Sequence, residues 1–176
     1  MKRILLLLLT TFTLSFCNID DDKPKTELEK LPPATQTGAN TFGCLLDGKA
    51  FLPGSFPNAT NCFYQLVDGE YYFAMAFGNT NFNAINIDVG VGTQKLQIQQ
   101  NVQYDLFELS DNNAFGGYNF GTFNYYTTNT HTGKLTITKL DEINHIVSGT
   151  FWFDVIDNNG VVHQIREGRF DAQYTN

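Results

Sequence analysis

The chain has 176 residues, 18 acidic side chains against 11 basic ones, only 16% charged residues and 14% aromatic residues. That length suits one domain around one core. The acidic balance leaves no basic patch to neutralise phosphates, which excludes nucleic-acid binding and disfavours an anionic lipid surface as a partner of the folded part.

Lys2 and Arg3 precede an almost wholly apolar run from Ile4 to Phe16, and Cys17 closes it. A helix crossing a hydrocarbon core needs roughly 17–25 apolar residues, so residues 1–16 read as a processed signal peptide and not as a span. Leu14-Ser15-Phe16-Cys17 resembles the end of a bacterial lipoprotein signal, in which the cysteine thiol takes a diacylglycerol and becomes the mature N-terminus. Leu14 and Ser15 fit that pattern, whereas Phe16 stands where such signals carry a small residue. An ordinary secretory signal would need an A-x-A-like site, and none lies near the run. Losing Lys2 and Arg3 with the leader takes the net charge from −7 to −9. Asp20-Asp21-Asp22 resembles the acidic tag that Bacteroidetes lipoproteins carry for surface display, and reads equally as a solvated linker run. The expected location is therefore the outer membrane, on its periplasmic face or at the cell surface, with the lipid on Cys17 as the membrane contact.

Residues 17–40 read as a disordered acidic tether with Pro32-Pro33, because their scattered Leu residues cannot bury enough apolar area to order them. From Thr41 the pattern has a period of two. Phe42, Cys44 and Leu46 alternate up to an Asp47-Gly48 hairpin turn. Cys62 to Val67 and Tyr71-Phe73-Met75-Phe77 flank a second one at Asp68-Gly69. With Cys17 lipidated, Cys44 and Cys62 are left as an even pair on strands expected to be neighbours, which in an oxidising compartment points to a disulfide. Two small buried hydrophobes are the alternative.

Ile85-Ile87-Val89-Val91 form another alternating face, Leu96 and Ile98 mark a short strand, and Tyr104 to Leu109 fits either a strand or a brief helical turn. Tyr118 to Thr127 reads as one strand, and Leu135 and Ile137 alternate with Thr136 and Thr138. Val147, Phe151, Phe153 and Val155 then face one way, and Asp157-Asn158-Asn159-Gly160 turns the chain into Val161-His163-Ile165. Apolar parity resumes shifted at Phe170, so a bulge is expected at Gly168. No amphipathic helix of normal length appears. The expected fold is all-β: a single domain over residues 41–176, either an antiparallel β-sandwich or a partly open β-barrel.

Gly133 to Asp141, Ile146 to Phe151 and Glu167 to Asp171 together resemble a Bacteroidetes lipoprotein family of unknown function. The resemblance covers most of Thr41 to Tyr174. It implies a small all-β domain behind a lipid anchor, and it carries no activity.

Chemistry-bearing residues are sparse. His131, His145 and His163 lie on different segments without ligand-spaced partners, and neither the zinc-protease helix pattern nor a nucleophile elbow is present. Asp154 with Asp157 to Gly160 has oxygens for Ca²⁺, but Val155 and Arg166 occupy ligand positions of the helix–loop–helix calcium motif, so a hairpin turn explains the run. No cofactor and no metal is expected. The aromatic candidates are Trp152, Tyr118, Tyr125 and Tyr126, since exposed rings beside Asn and Asp can hold a sugar face; packing of both sheet faces, or ring edges covering a barrel mouth, is the alternative for the same rings. The expected function is a non-catalytic, lipid-anchored binding module for a glycan or an envelope component. The alternatives are a calycin-like barrel around a small apolar ligand and a purely structural envelope protein. Palmitate labelling in the native host checks the anchor: Cys17→Ser should abolish incorporation, and persistent labelling would contradict lipidation at Cys17.

Overall fold

Strands that alternate apolar and polar side chains must bury one face, and a sheet that curls on itself does so without a second layer. The computed structural model describes residues 24–80 and 85–176, so Cys17 and the Asp20-Asp21-Asp22 run lie outside the described residues. It contains β1 (Thr41–Leu46), β2 (Lys49–Phe51), β3 (Thr60–Val67), β4 (Glu70–Asn79), β5 (Ile87–Gln94) and β6 (Val102–Phe107). There follow β7 (Asn113–Phe120), β8 (Phe123–Tyr126), β9 (Gly133–Asp141), β10 (Ile146–Ile156) and β11 (Val162–Gln173). The order is β2-β1-β11-β10-β9-β6-β7-β5-β4-β3, with β8 paired to β7, and only β6 and β7 run parallel among the described pairs. The result is one curled, open sheet forming a half-barrel, the open-barrel alternative and not the sandwich.

The curl is held from inside by rings. Phe73 and Phe77 of β4 meet Phe170 of β11 and Phe42 of β1, each pair with centroids 6.1 Å apart, although these strands are distant in the sheet order. Phe153, Leu135, Ile137 and Ile165 fill the same interior and are inaccessible to solvent. Each such burial contributes about 1.5–3 kcal/mol. Beyond β11, Thr175 N donates to Cys62 O at 3.1 Å and Tyr64 N to Thr175 O at 2.9 Å, so the chain's tail reaches the far edge strand.

Three local expectations change. Tyr118 to Thr127 is the end of a hairpin and not one strand, because Gly121 takes a φ of +63° and folds β8 back on β7. Leu96 and Ile98 lie in a loop, where Ile98 is buried without strand pairing. The bulge falls just before Gly168: Phe151 pairs with Gly168 and Phe153 with Ile165, leaving Arg166 and Glu167 opposite Trp152.

The tether expectation fails for residues 24–40, which dock on the outside of the sheet as a strap. Glu27 Oε2 accepts from Ala50 N at 2.8 Å, Leu31 is buried, and Pro32 lies over Gly43, where a Cβ would come within 2.9 Å of Pro32 Cδ. The far end is gripped by Asp171, which faces away from the core yet is only 1% exposed. Its Oδ2 accepts from Thr35 Oγ1 (2.7 Å), Thr37 N (2.9 Å), Thr37 Oγ1 (3.2 Å) and Ala39 N (3.2 Å), and its Oδ1 from Gly38 N and Ser148 Oγ (2.7 Å each). A polar segment can therefore order without a core of its own, because a buried acceptor satisfies its backbone donors.

Burial opposes ionisation of Asp171, but the bonds from Thr35, Thr37, Ser148 and Gly38 outweigh it and hold the carboxyl below the usual carboxylate range. With a depressed folded-state pKa, the stabilisation is full above the unfolded value of about 4 and fades as pH falls toward the folded one. Asp171→Asn should cost about 3 kcal/mol in denaturant unfolding and make residues 24–40 sensitive to limited proteolysis at neutral pH. Wild type should release the strap only in acid. Unchanged stability and protection in the variant would contradict the clamp.

Candidate functional site

At one end of the curl, side chains on the inward parity of β7, β8 and β11 run out of core to pack against and line a cavity of about 330 Å³. The β1–β2 turn sets Asp47 behind His163 of that lining, in a left-handed conformation with φ +50°. Asp47 N donates to Gln164 O at 2.9 Å, and Gln164 N returns a bond to Asp47 Oδ1 at 2.8 Å. Its other oxygen lies 2.9 Å from His163 Nδ1. A carboxylate can only accept, so Nδ1 carries a proton and Nε2 is left facing Asp157 Oδ2 at 3.9 Å. Asp157 is fixed by bonds from Val161 N and Asn159 N, both 2.8 Å, and these hold its carboxyl below the ordinary range, the Val161 bond most.

Rings complete the site. Tyr118 reaches across the interior to His163, with centroids 4.7 Å apart, and stacks on Tyr125 at 6.1 Å. Phe123 continues the stack on Tyr125 at 6.5 Å. Burial, with the charges of Asp47, Tyr125 and Asp157 behind it, pushes the Tyr118 phenol up to about 12, so it stays a neutral hydrogen-bonding group. The cavity thus offers apolar ring faces on one side and Asp157, Asn159 and His163 as polar partners on the other. An aspartate–histidine pair can accept a proton, but among the described residues no serine, threonine, cysteine or lysine lines the cavity to act as its nucleophile.

The four aromatic candidates do not form one site. Tyr118 and Tyr125 are in the cavity. Tyr126 is on the outer face, its ring edge-on to Phe115 at 5.9 Å. Trp152 is 38% exposed on the outer face of β10, beneath the Arg166 guanidinium at 5.3 Å. His163, which strand parity reads as a satisfied or edge histidine, lines the cavity with Asp157 and is backed by Asp47. Those two carboxylates look like plain turn residues in the sequence, and only the register of β1 with β11 brings Asp47 to His163. Asp157 caps its own hairpin turn. His131 bonds Thr130 Oγ1 within its own turn at 3.2 Å, and His145 stacks on Tyr174 beyond β11 at 5.4 Å, so neither reaches the cavity lining. Among the described residues, no group of three or more His, Cys, Asp or Glu could hold a metal ion.

The expected Cys44–Cys62 disulfide is not formed, and both cysteines are free and buried. Their strands are not neighbours: β1 pairs with β2 and β11, whereas β3 pairs with β4 at the far end of the sheet. Burial raises the Cys44 thiol strongly and pushes that of Cys62 up to about 12, so neither is a ready thiolate. A thiol reagent should leave both unmodified in the native protein and label two after denaturation without reductant, and failure to label either would restore the disulfide.

No family model, no curated protein and no solved structure matched the chain.

Proposed function

We propose that this protein is a lipid-anchored component of the bacterial outer envelope whose half-barrel binds a saccharide at its open end and catalyses no reaction. The observation that carries the reading is the stack of Tyr118, Tyr125 and Phe123 facing Asp157, Asn159 and His163 across one cavity. A sugar ring has an apolar C–H face and a rim of hydroxyls, and the cavity supplies a counterpart to each. A volume of about 330 Å³ is at the small end of ligand sites and suits one or two rings. The interior beyond it is filled by side chains, which favours binding at the mouth over an apolar ligand held inside. The anchor rests on the Cys17 signal and on the likeness to Bacteroidetes lipoproteins.

A glycan array followed by titration of the retained sugar tests the reading. Tyr125→Ala should weaken binding about tenfold, the loss expected for one stacked ring, while the fold is retained because Tyr125 is half-buried. No retained saccharide, or retention indifferent to Tyr125→Ala, would contradict it.

A further inference from the structure

A larger groove, of about 510 Å³, lies on the outer face of β6, β9, β10 and β11, away from the mouth. Cross-strand register builds it. Gln103, Thr136, Thr150 and Arg169 stand in one row, with Lys134 opposite Trp152 in the next. The bulge before Gly168 brings Arg166 over the Trp152 ring. Ala34 of the strap closes one side, and Arg169 Nη1 donates to Pro32 O at 3.5 Å, so the wall stands on the segment that Asp171 grips.

The charge of the groove runs against that of the molecule. In a chain of net charge −7, its lining carries Lys134, Arg166 and Arg169 against one carboxylate, Glu167. Arg166 and Arg169 are the only arginines after Arg3. Three ion pairs hold these cations: an exposed one between Lys134 and Asp105 (2.7 Å), and part-buried ones between Arg166 and Asp154 (2.6 Å) and between Arg169 and Glu167 (3.2 Å). The exposed Lys134 pair adds little stability, and Asp105 and Asp154 pull from outside the lining. Arg166 Nη1 also donates to Phe153 O (3.0 Å) and Ile165 O (2.9 Å), so the cations are held in place around a part-exposed indole, partly roofed by Arg166, and the hydroxyls of Thr136 and Thr150.

We propose that this groove is a second binding site, for a carboxylate-bearing sugar such as a uronate unit of an acidic polysaccharide. The ring lies against Trp152, the carboxylate meets the guanidinium fork of Arg166 and the ammonium of Lys134, and Thr136, Thr150 and Gln103 bond the hydroxyls. The inference shares the glycan-binding reading of the mouth but uses none of its residues.

Titration of the full chain with polygalacturonate, its fully methyl-esterified form and inorganic phosphate tests it. The acid polymer should bind, more weakly as salt rises, and the ester at least tenfold less tightly. Trp152→Ala and Arg166→Lys should each cost about tenfold, and Tyr125→Ala nothing. Lys134→Gln, at an exposed site, should also weaken binding and guards against misfolding of the other two. Equal binding of acid and ester, indifference to all three groove variants, or displacement by phosphate as effective as by free galacturonate would overturn the assignment. Acid-polymer binding that is lost in Tyr125→Ala alone would overturn it too, yet leave the mouth site intact.

Discussion

The buried carboxylate of Asp171 decides how the N-terminal part of this protein meets its half-barrel. Six donors converge on two oxygens, three of them backbone N–H groups of the strap. A carboxylate taken out of water is costly unless its lone pairs are filled, so the strap and Asp171 each need the other. With the strap seated, Pro32 covers Gly43 and Ala34 walls the Trp152 groove. The strap also sets where an anchor would pull. From Cys17 to Pro24, the first described residue, is seven residues, at most about 25 Å of extended chain. A lipid on Cys17 would thus hold the domain close to the bilayer by its β2 edge, where Glu27 is tied to Ala50.

The core was legible because it depends on parity. Phe73, Met75 and Phe77, or Phe151, Phe153 and Val155, announce a buried face by alternation alone, and that face is where the structure puts them. What stayed hidden depends on pairing between distant strands. The residues of the strap look too polar to order, and its far end is ordered by one aspartate more than 130 residues away. Cys44 and Cys62 look close because their strands are close in sequence, but the sheet order separates them. The hairpin at Gly121 was missed because a lone glycine in an aromatic run does not announce a left-handed turn.

The candidate sites follow the same division. Tyr118 and Tyr125 could be picked out as rings available to a ligand, and the β7–β8 hairpin stacks them. Their polar counterparts could not, because Asp47 and Asp157 sit in Asp-Gly and Asp-Asn-Asn-Gly turns whose local role already explains them. Trp152 was visible as an outward ring by parity, but its surroundings of Arg166, Lys134 and Arg169 come from the two strands, β9 and β11, that flank β10 in register. The two saccharide sites proposed are thus products of the curl: one where inward side chains reach its open end, the other where outward side chains meet the strap.

Hydrogen exchange at single-residue resolution tests the central claim most directly. At neutral pH the amides of Thr37, Gly38 and Ala39, which donate to Asp171, should exchange as slowly as those of strand residues. In Asp171→Asn these three should exchange freely while amides of β4 and β10 remain protected. Fast exchange at the three strap amides in the native protein would contradict the account, as would protection that survives loss of the carboxylate.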